Sequence, residues 1–260
     1  MEEVPDTIVL SMSKDKNYLT KPELFMLDLL AGYQWDRPIS MLNMGGDLNI
    51  GIKEYLMYDC FSYRFVPFKN KVTYQDIGKG DPLALYRMMT DGTFTWDALS
   101  RKDYFVDYQN LYTFLGVLSQ RQMFVTVANA LINAGEKDKA MEILDKCQEC
   151  IPEETFPLET IPVGFTTNTY MGIRMAEMYY FLHADDKGDA LAEKIGNLLL
   201  NTMQFYGSFA TMGQPEFEAA YQALYYLEDV LEGYKKYDLA TKIADGLSAM
   251  IKGLKAGLDD

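Results

Sequence analysis

The side chains best suited to chemistry in this chain are three cysteines and a single histidine. Cys147 and Cys150 form a C-x-x-C pair, which in redox proteins lies at a helix N-terminus, where the helix dipole lowers the thiol pKa. Here the pair falls near the C-terminal end of an amphipathic segment, AMEILDKCQECIPEE. We therefore interpret both thiols as structural. His183 has no evident metal-binding partner in the sequence, so no metal site is predicted.

Motifs for catalysis or cofactor binding are missing from the sequence. It contains no G-x-G-x-x-G, Walker, G-x-S-x-G or H-E-x-x-H pattern. With one histidine, the sequence offers a single candidate base for Ser–His or Cys–His catalysis. Paired carboxylates could support a hydrolase, but their spacing does not distinguish such a pair from a solvated acidic surface. We predict no catalytic residue and no cofactor.

A Gly-rich turn, MGGD (44–47), follows a predicted strand. Open α/β sheets bind ligands at this position, and Asp47 and Asn49 would supply polar groups. The fingerprint glycines are missing, however, and two glycines in a turn need no ligand to explain them. We interpret the segment as a turn.

The charge balance excludes one class of partner. Lys and Arg total 24 against 38 Asp and Glu, a formal net charge of −14. Such a field repels phosphate backbones and anionic lipid surfaces, so nucleic-acid binding is not expected. We interpret the 19 tyrosines and 14 phenylalanines mainly as residues that pack helices together. Their use on solvent-exposed binding surfaces is the alternative interpretation.

Strand and helix signals alternate over the first hundred residues, and two short helices follow in DPLALYRMM and FTWDALSR. This order predicts right-handed crossovers and a small parallel sheet. A capping box, Thr20 to Glu23, begins the first helix, and Gly32 ends it. The predicted elements are a strand at 8–12, the helix before Gly32, a strand at 38–43, a helix at about 49–60 and a strand at 62–68.

Residues 123–154 have the pattern of a tetratricopeptide repeat. Ala128 and Ala140 would lie where two helices cross, Gly135 would form the turn, and Pro152 would end the unit. Small residues at a crossing allow two helices to approach closely. The segment therefore predicts a helix–turn–helix repeat.

Two looser units follow. In the second, Ala176 and Ala190 are further apart than their counterparts, which predicts a turn with about two extra residues; the third has Ala240. An unrelated helical bundle is the alternative. The predicted fold is α+β and mostly α: a small parallel α/β domain at 1–105, then a tetratricopeptide-like array at 106–260.

Three segments carry a family resemblance: residues 18–41, YRFVP at 63–67, and NAGEKDKAMEILDKC. Together they resemble the soluble C-terminal region of multi-spanning bacterial membrane proteins that are common in Bacteroidetes and related to eukaryotic transmembrane protein O-mannosyltransferases. The residues that match the family pattern are Tyr18, Leu19, Thr20, Lys21, Glu23, Leu24, Leu27, Asp28, Leu29, Leu30, Ala31, Trp35, Arg37, Pro38, Ile39 and 63–67.

The resemblance implies that the chain is part of a GT-C type glycosyltransferase that uses a lipid-linked sugar. Such enzymes hold their catalytic carboxylate among membrane helices, so no catalytic residue is carried over to this chain. The resemblance also implies a position at the periplasmic face of the inner membrane, reached only through membrane helices that the given sequence lacks.

We therefore expect a non-catalytic accessory domain that binds a protein or peptide acceptor in the groove of the helical array. The groove would be formed by the first helix of each repeat. The alternative is a carbohydrate-binding protein that uses Tyr and Phe platforms. The predicted groove residues are Gln122, Asn129, Asn133, Tyr170, Glu177 and Tyr180.

Overall fold

The computed structural model describes residues 5–12, 14–42, 50–69, 80–101, 103, 105, 107, 117–158, 168–209 and 213–256. The chain divides into two compact units, Met1–Thr93 and Phe94–Asp260. The described residues are mostly helical and include one small antiparallel sheet.

The described part of the first unit contains two α-helices, one 3-10 helix and a three-stranded sheet. Its strands are in the order β1-β3-β2, and both pairings are antiparallel. The buried side chains of Ile50, Ile52, Tyr55, Leu56 and Phe65 form its core. The elements are α1 (Lys21–Ala31), β1 (Ser40–Met41), a 3-10 helix (Ile52–Tyr55), β2 (Leu56–Asp59), β3 (Ser62–Phe65) and α2 (Pro82–Thr90).

The predicted parallel sheet is wrong. β2 and β3 are joined by Cys60 and Phe61 alone, with Asp59 paired to Ser62 across the turn. Two residues can connect only antiparallel strands, since a parallel pair needs a crossover of a dozen residues or more. Cys60 adopts a left-handed φ of 58° to close this hairpin.

The helix predicted at 49–60 is also wrong. Its described part holds a single 3-10 turn and then β2, in which Leu56 and Tyr58 are buried and alternate with more exposed neighbours. A short apolar run fits either a helix or a strand, because few residues separate a period of 3.6 from one of 2.

The segment predicted as the first strand, 8–12, lies outside the sheet. Ile8 and Leu10 pack against the core of the first unit. The Tyr55 hydroxyl donates to the Val9 carbonyl oxygen at 3.1 Å and holds the segment in place. The MGGD turn, with Asp47 and Asn49, lies outside the described residues.

The second unit is helical in its described part. Its six long helices form three consecutive pairs, each joined by a short turn, and we call these pairs hairpins 1, 2 and 3. The elements are α3 (Asp97–Ser100), α4 (Val117–Asn133) and α5 (Lys137–Cys150) of hairpin 1, α6 (Asn168–Phe181) and α7 (Asp185–Gly207) of hairpin 2, and α8 (Gln214–Gly233) and α9 (Tyr237–Ala256) of hairpin 3.

The same turn closes all three hairpins. One residue in each has a left-handed φ: Gly135 at 81°, His183 at 62° and Lys235 at 61°. The N–H of this left-handed residue donates to the carbonyl oxygen of the residue three positions earlier. The N–H of the following residue donates to the carbonyl oxygen five positions before itself, as in a Schellman motif. The left-handed residue therefore gives a common register for the three hairpins.

This register corrects the second repeat. Counted from the left-handed residue, the counterpart of Ala140 is Gly188 and not Ala190. Gly188 is buried and a Cβ there would lie 2.4 Å from the Tyr180 ring, whereas Ala190 is exposed. The turn has no extra residues; the small residue at the helix crossing is a glycine.

Glycine substitution at the left-handed turn residues is expected to stabilise the second unit. Lys235→Gly and His183→Gly should each raise the free energy of unfolding by about 0.5–1 kcal/mol, because an L side chain disfavours this conformation. Gly135→Ala should lower it by about 1 kcal/mol. Urea denaturation measures all three; Gly233→Ala, at a helical glycine with open space and no positive φ, is the control and should lose no stability.

All three cysteines are buried and form no disulfide. Burial raises the pKa of the Cys147 thiol to about 12, although nearby Arg121 acts in the opposite direction. Cys150 shares the buried side of α5. These placements agree with the structural interpretation of the C-x-x-C pair.

None of the helices in the described ranges combines the length and apolar character needed to cross a membrane.

Candidate functional site

Equivalent positions on α4, α6 and α8 form one polar stripe, which we call the first-helix stripe. In each helix its members are spaced i, i+4, i+7 and therefore share one face. Counted from the left-handed turn residues, the stripe contains Gln122, Thr126 and Asn129 on α4, Tyr170, Arg174 and Glu177 on α6, and Gln222, Tyr226 and Asp229 on α8.

An aromatic pair joins α6 to α8 within this stripe. The rings of Tyr170 and Tyr226 lie 5.8 Å apart between centroids and 30° from parallel. Both side chains are partly exposed. Stacking of this kind is favourable and joins the two helices at the protein surface.

A charged pair lies next to the rings. Arg174 Nη1 is 3.6 Å from Glu177 Oε2, and both side chains are partly exposed. The Tyr226 hydroxyl donates to the same carboxylate oxygen at a long 3.5 Å. A guanidinium, a carboxylate and two phenols thus converge on one surface.

The electrostatics of this surface keep its phenols neutral. Burial raises the pKa of Tyr226, and the Glu177 carboxylate raises it further, while Arg174 opposes the shift. Burial likewise raises the pKa of Tyr170. At neutral pH these hydroxyls are hydrogen-bond donors, so the surface offers donors, acceptors and ring faces but no activated nucleophile.

The structure separates the six predicted groove residues into four groups, the last of which is Tyr180 alone. Tyr170 and Glu177 join the cluster just described. Gln122 and Asn129 occupy the equivalent stripe positions of α4 and are partly exposed. Asn133 is exposed at the end of α4.

Tyr180 lies off the stripe and is only 2% exposed. Its hydroxyl donates to Asp189 Oδ1 at 3.0 Å, and its ring packs 5.4 Å from that of Tyr234. Lys236 Nζ lies 5.0 Å from the ring centroid and 3.1 Å from Asp189 Oδ2. This ring is part of the junction between hairpins 2 and 3.

Stability at alkaline pH is expected to depend on this junction. Burial raises the pKa of Tyr180, and its hydrogen bond to Asp189 raises it further. Burial opposes the charge on Lys236, but hydrogen bonds to Asp185 and Asp189 raise its pKa overall. The folded state therefore holds protons that the unfolded state releases above about pH 10, and stability falls as pH rises through that range.

The measurement is the urea midpoint between pH 8 and pH 11. Tyr180→Phe should flatten the alkaline decline, at the cost of about 1 kcal/mol at pH 8 for the lost hydrogen bond. Tyr221→Phe, at a tyrosine that is 47% exposed on α8, should leave the decline unchanged. Equal declines in wild type and Tyr180→Phe would contradict the assignment.

Sequence reasoning missed Arg174 and Tyr226. They were missed because the sequence did not give the alignment of the three hairpins. When the left-handed turn residues are aligned, Arg174 and Tyr226 occupy the position of Thr126. A glycine marks only the first left-handed position, so the sequence does not show which residue takes that conformation in the other two turns.

The first unit has a family match. A family model described as TMEM260-associated domain 2 matches residues 1–82. The matched range contains two of the segments behind the resemblance, 18–41 and 63–67, and agrees at a coarse level with a relation to O-mannosyltransferase-like membrane proteins. No curated protein and no solved structure matches the chain.

The first-helix stripe lies outside the matched range, in the second unit. Its interpretation therefore rests on its own geometry.

Proposed function

We propose that this chain is a non-catalytic binding module whose first-helix stripe captures an extended segment of a protein or peptide. The observation that carries the proposal is the cluster of Tyr170, Arg174, Glu177 and Tyr226 across two neighbouring hairpins. Tyrosine and arginine are the residues that most often dominate binding energy at protein interfaces.

The composition of the stripe favours a peptide. Its polar side chains match the donors and acceptors of an extended backbone, and its rings offer flat contacts to alternate side chains. We interpret the hairpins as tetratricopeptide-like repeats, since Ala128 and Ala140 in hairpin 1 and Ala176 and Gly188 in hairpin 2 are all buried. Such arrays bind ligands along an extended surface.

The match at residues 1–82 supports a further proposal about the parent protein. We propose that the chain is the accessory part of a membrane-bound, O-mannosyltransferase-like glycosyltransferase at the periplasmic face of the inner membrane. In that setting, the captured segment would be a protein or peptide acceptor of sugar.

The test is a random library of 12-residue peptides displayed on phage and selected on the full chain. Enriched peptides should bind with a measurable Kd, and Tyr170→Ala/Arg174→Gln should weaken binding at least tenfold, about 1.4 kcal/mol. The control is Tyr225→Ala, because Tyr225 adjoins Tyr226 on α8 but is 60% exposed and lies off the stripe.

Two outcomes count against the proposal. One is a library from which no peptide is enriched. The other is a set of peptides that bind the folded double variant as tightly as the wild type.

A further inference from the structure

The first unit contains an open cleft of about 810 Å³. Its volume lies within the range typical of small-molecule sites. Apolar and aromatic side chains form its walls, among them Leu27, Leu30, Tyr33, Trp35 and Phe65. Asp6 and Thr7 also line it and are exposed.

Trp35 forms an aromatic platform in this cleft. Its ring stacks on Phe65, with centroids 5.6 Å apart and the planes 17° from parallel, and the Tyr33 ring lies 4.5 Å away. Phe65 is buried beneath it, yet Trp35 remains 46% exposed. One face of the indole is therefore supported by the core while much of the side chain faces solvent.

The backbone of Trp35 is strained. Its φ of 60° lies in the left-handed region, which a bulky side chain rarely adopts. The Tyr33 hydroxyl donates to the Arg37 carbonyl and spans the loop that contains this residue. Core packing alone does not require a strained, half-exposed tryptophan, and strained residues of this kind cluster at ligand sites.

The cleft combines a flat apolar face with polar groups beside it. A pyranose ring has the matching character, with a face of C–H groups and an edge of hydroxyls. A hydrocarbon chain would make no hydrogen bond with the Asp6 carboxylate or the Thr7 hydroxyl, whereas sugar hydroxyls can bond to both. The net charge of −14 and the Asp6 carboxylate disfavour an anionic ligand.

We propose that this cleft binds a neutral saccharide, whose ring stacks on Trp35 and whose hydroxyls hydrogen-bond to Asp6 and Thr7. The site is independent of the first-helix stripe, because it lies wholly within the first unit.

The experiment titrates the full chain with neutral trisaccharides: cellotriose, maltotriose, mannotriose and triacetylchitotriose. Calorimetry on the wild type is paired with fluorescence of a Trp96→Phe variant, in which Trp35 is the remaining one of the two tryptophans. At least one sugar should give saturable binding and a saturable change in Trp35 emission. No saturable binding by any of the four overturns the proposal.

Two variants test the location. Trp35→Ala should weaken binding at least tenfold, while Phe61→Ala should leave the Kd within twofold. Phe61 is a matched control because it is also 46% exposed and does not line the cleft. The double variant Asp6→Asn/Thr7→Val should weaken binding at least threefold. Because it changes only exposed side chains, it tests the location independently of whether Trp35→Ala folds.

The remaining outcomes concern the ligand class. Sialyllactose and a proline-rich 12-residue peptide are titrated in parallel. If either binds in a manner that depends on Trp35 and the neutral sugars do not, the neutral-saccharide assignment is overturned. Sugar binding that is unchanged in both the Trp35 variant and the Asp6/Thr7 variant overturns the location.

Discussion

Replacing Arg121 by methionine is expected to lower the free energy of unfolding by about 3 kcal/mol. The guanidinium lies on α4 and is 2% exposed. It donates to the carbonyl oxygens of Pro157 at 3.2 Å, of Phe156, and of Ile151 at a long 3.5 Å. These carbonyls belong to the non-helical segment that follows α5, and the guanidinium ties that segment to α4.

The methionine side chain fills a similar volume but donates no hydrogen bond. The carbonyls would then be buried without this donor, and each such loss costs about 1–3 kcal/mol. Arg121→Lys should recover only part of the stability, since a single ammonium does not reproduce a planar fork of donors.

Urea denaturation followed by circular dichroism measures the change. Arg174→Met is the control, because that arginine is on the neighbouring α6 and its side chain is 41% exposed. We expect the control to lose less than about 1 kcal/mol. An Arg121→Met protein within about 0.5 kcal/mol of the wild type would refute the role of this residue.

The second large effect is expected at Glu23 in the first unit, where Glu23→Ala should cost about 3 kcal/mol. Its Oε2 accepts from the Thr20 N–H at 2.8 Å and the Thr20 hydroxyl at 3.0 Å, which confirms the predicted capping box. Its Oε1 is 2.8 Å from Lys16 Nζ, and the two side chains are 1% and 13% exposed. The variant removes a helix cap and leaves the largely buried Lys16 side chain without its carboxylate partner.

Hydrogen exchange of the α1 amides measures this loss locally. Glu54→Ala is the matched control: Glu54 Oε2 also lies 2.8 Å from a lysine, Lys69, but the two side chains are 54% and 58% exposed. An exposed pair contributes about 0–1 kcal/mol. Similar protection of the α1 amides in both variants would show that buried Glu23 contributes no more to stability than exposed Glu54.

Local patterns in the sequence predicted the parts of the fold that local forces determine. The α1 helix begins after its capping box and ends before Gly32, as predicted. The strand predicted at 62–68 contains β3, and the short helices predicted after it are α2 and α3. These signals depend on residues within one turn of helix or one strand, so no distant contact is needed to recognise them.

Pairing and register needed the tertiary structure. Whether Leu56 belonged to a helix or to a strand depended on a partner strand, β3, and on the two-residue turn at Cys60 and Phe61. The register of hairpin 2 depended on the left-handed conformation of His183, which a histidine in the sequence does not predict. Both are decided by contacts between segments, which offset local preferences.

The two candidate sites follow the same division. The sequence by itself determined that Tyr170 and Glu177 would lie on one helix at helical spacing, and it contains none of the catalytic motifs named above. Only the tertiary structure decided that Tyr226 would stack on Tyr170, that Tyr180 would be buried, and that Trp35 would stand half-exposed on Phe65. The reason is physical: periodicity fixes the face of a helix on which a side chain lies, whereas exposure and neighbours depend on how separate helices and strands pack together.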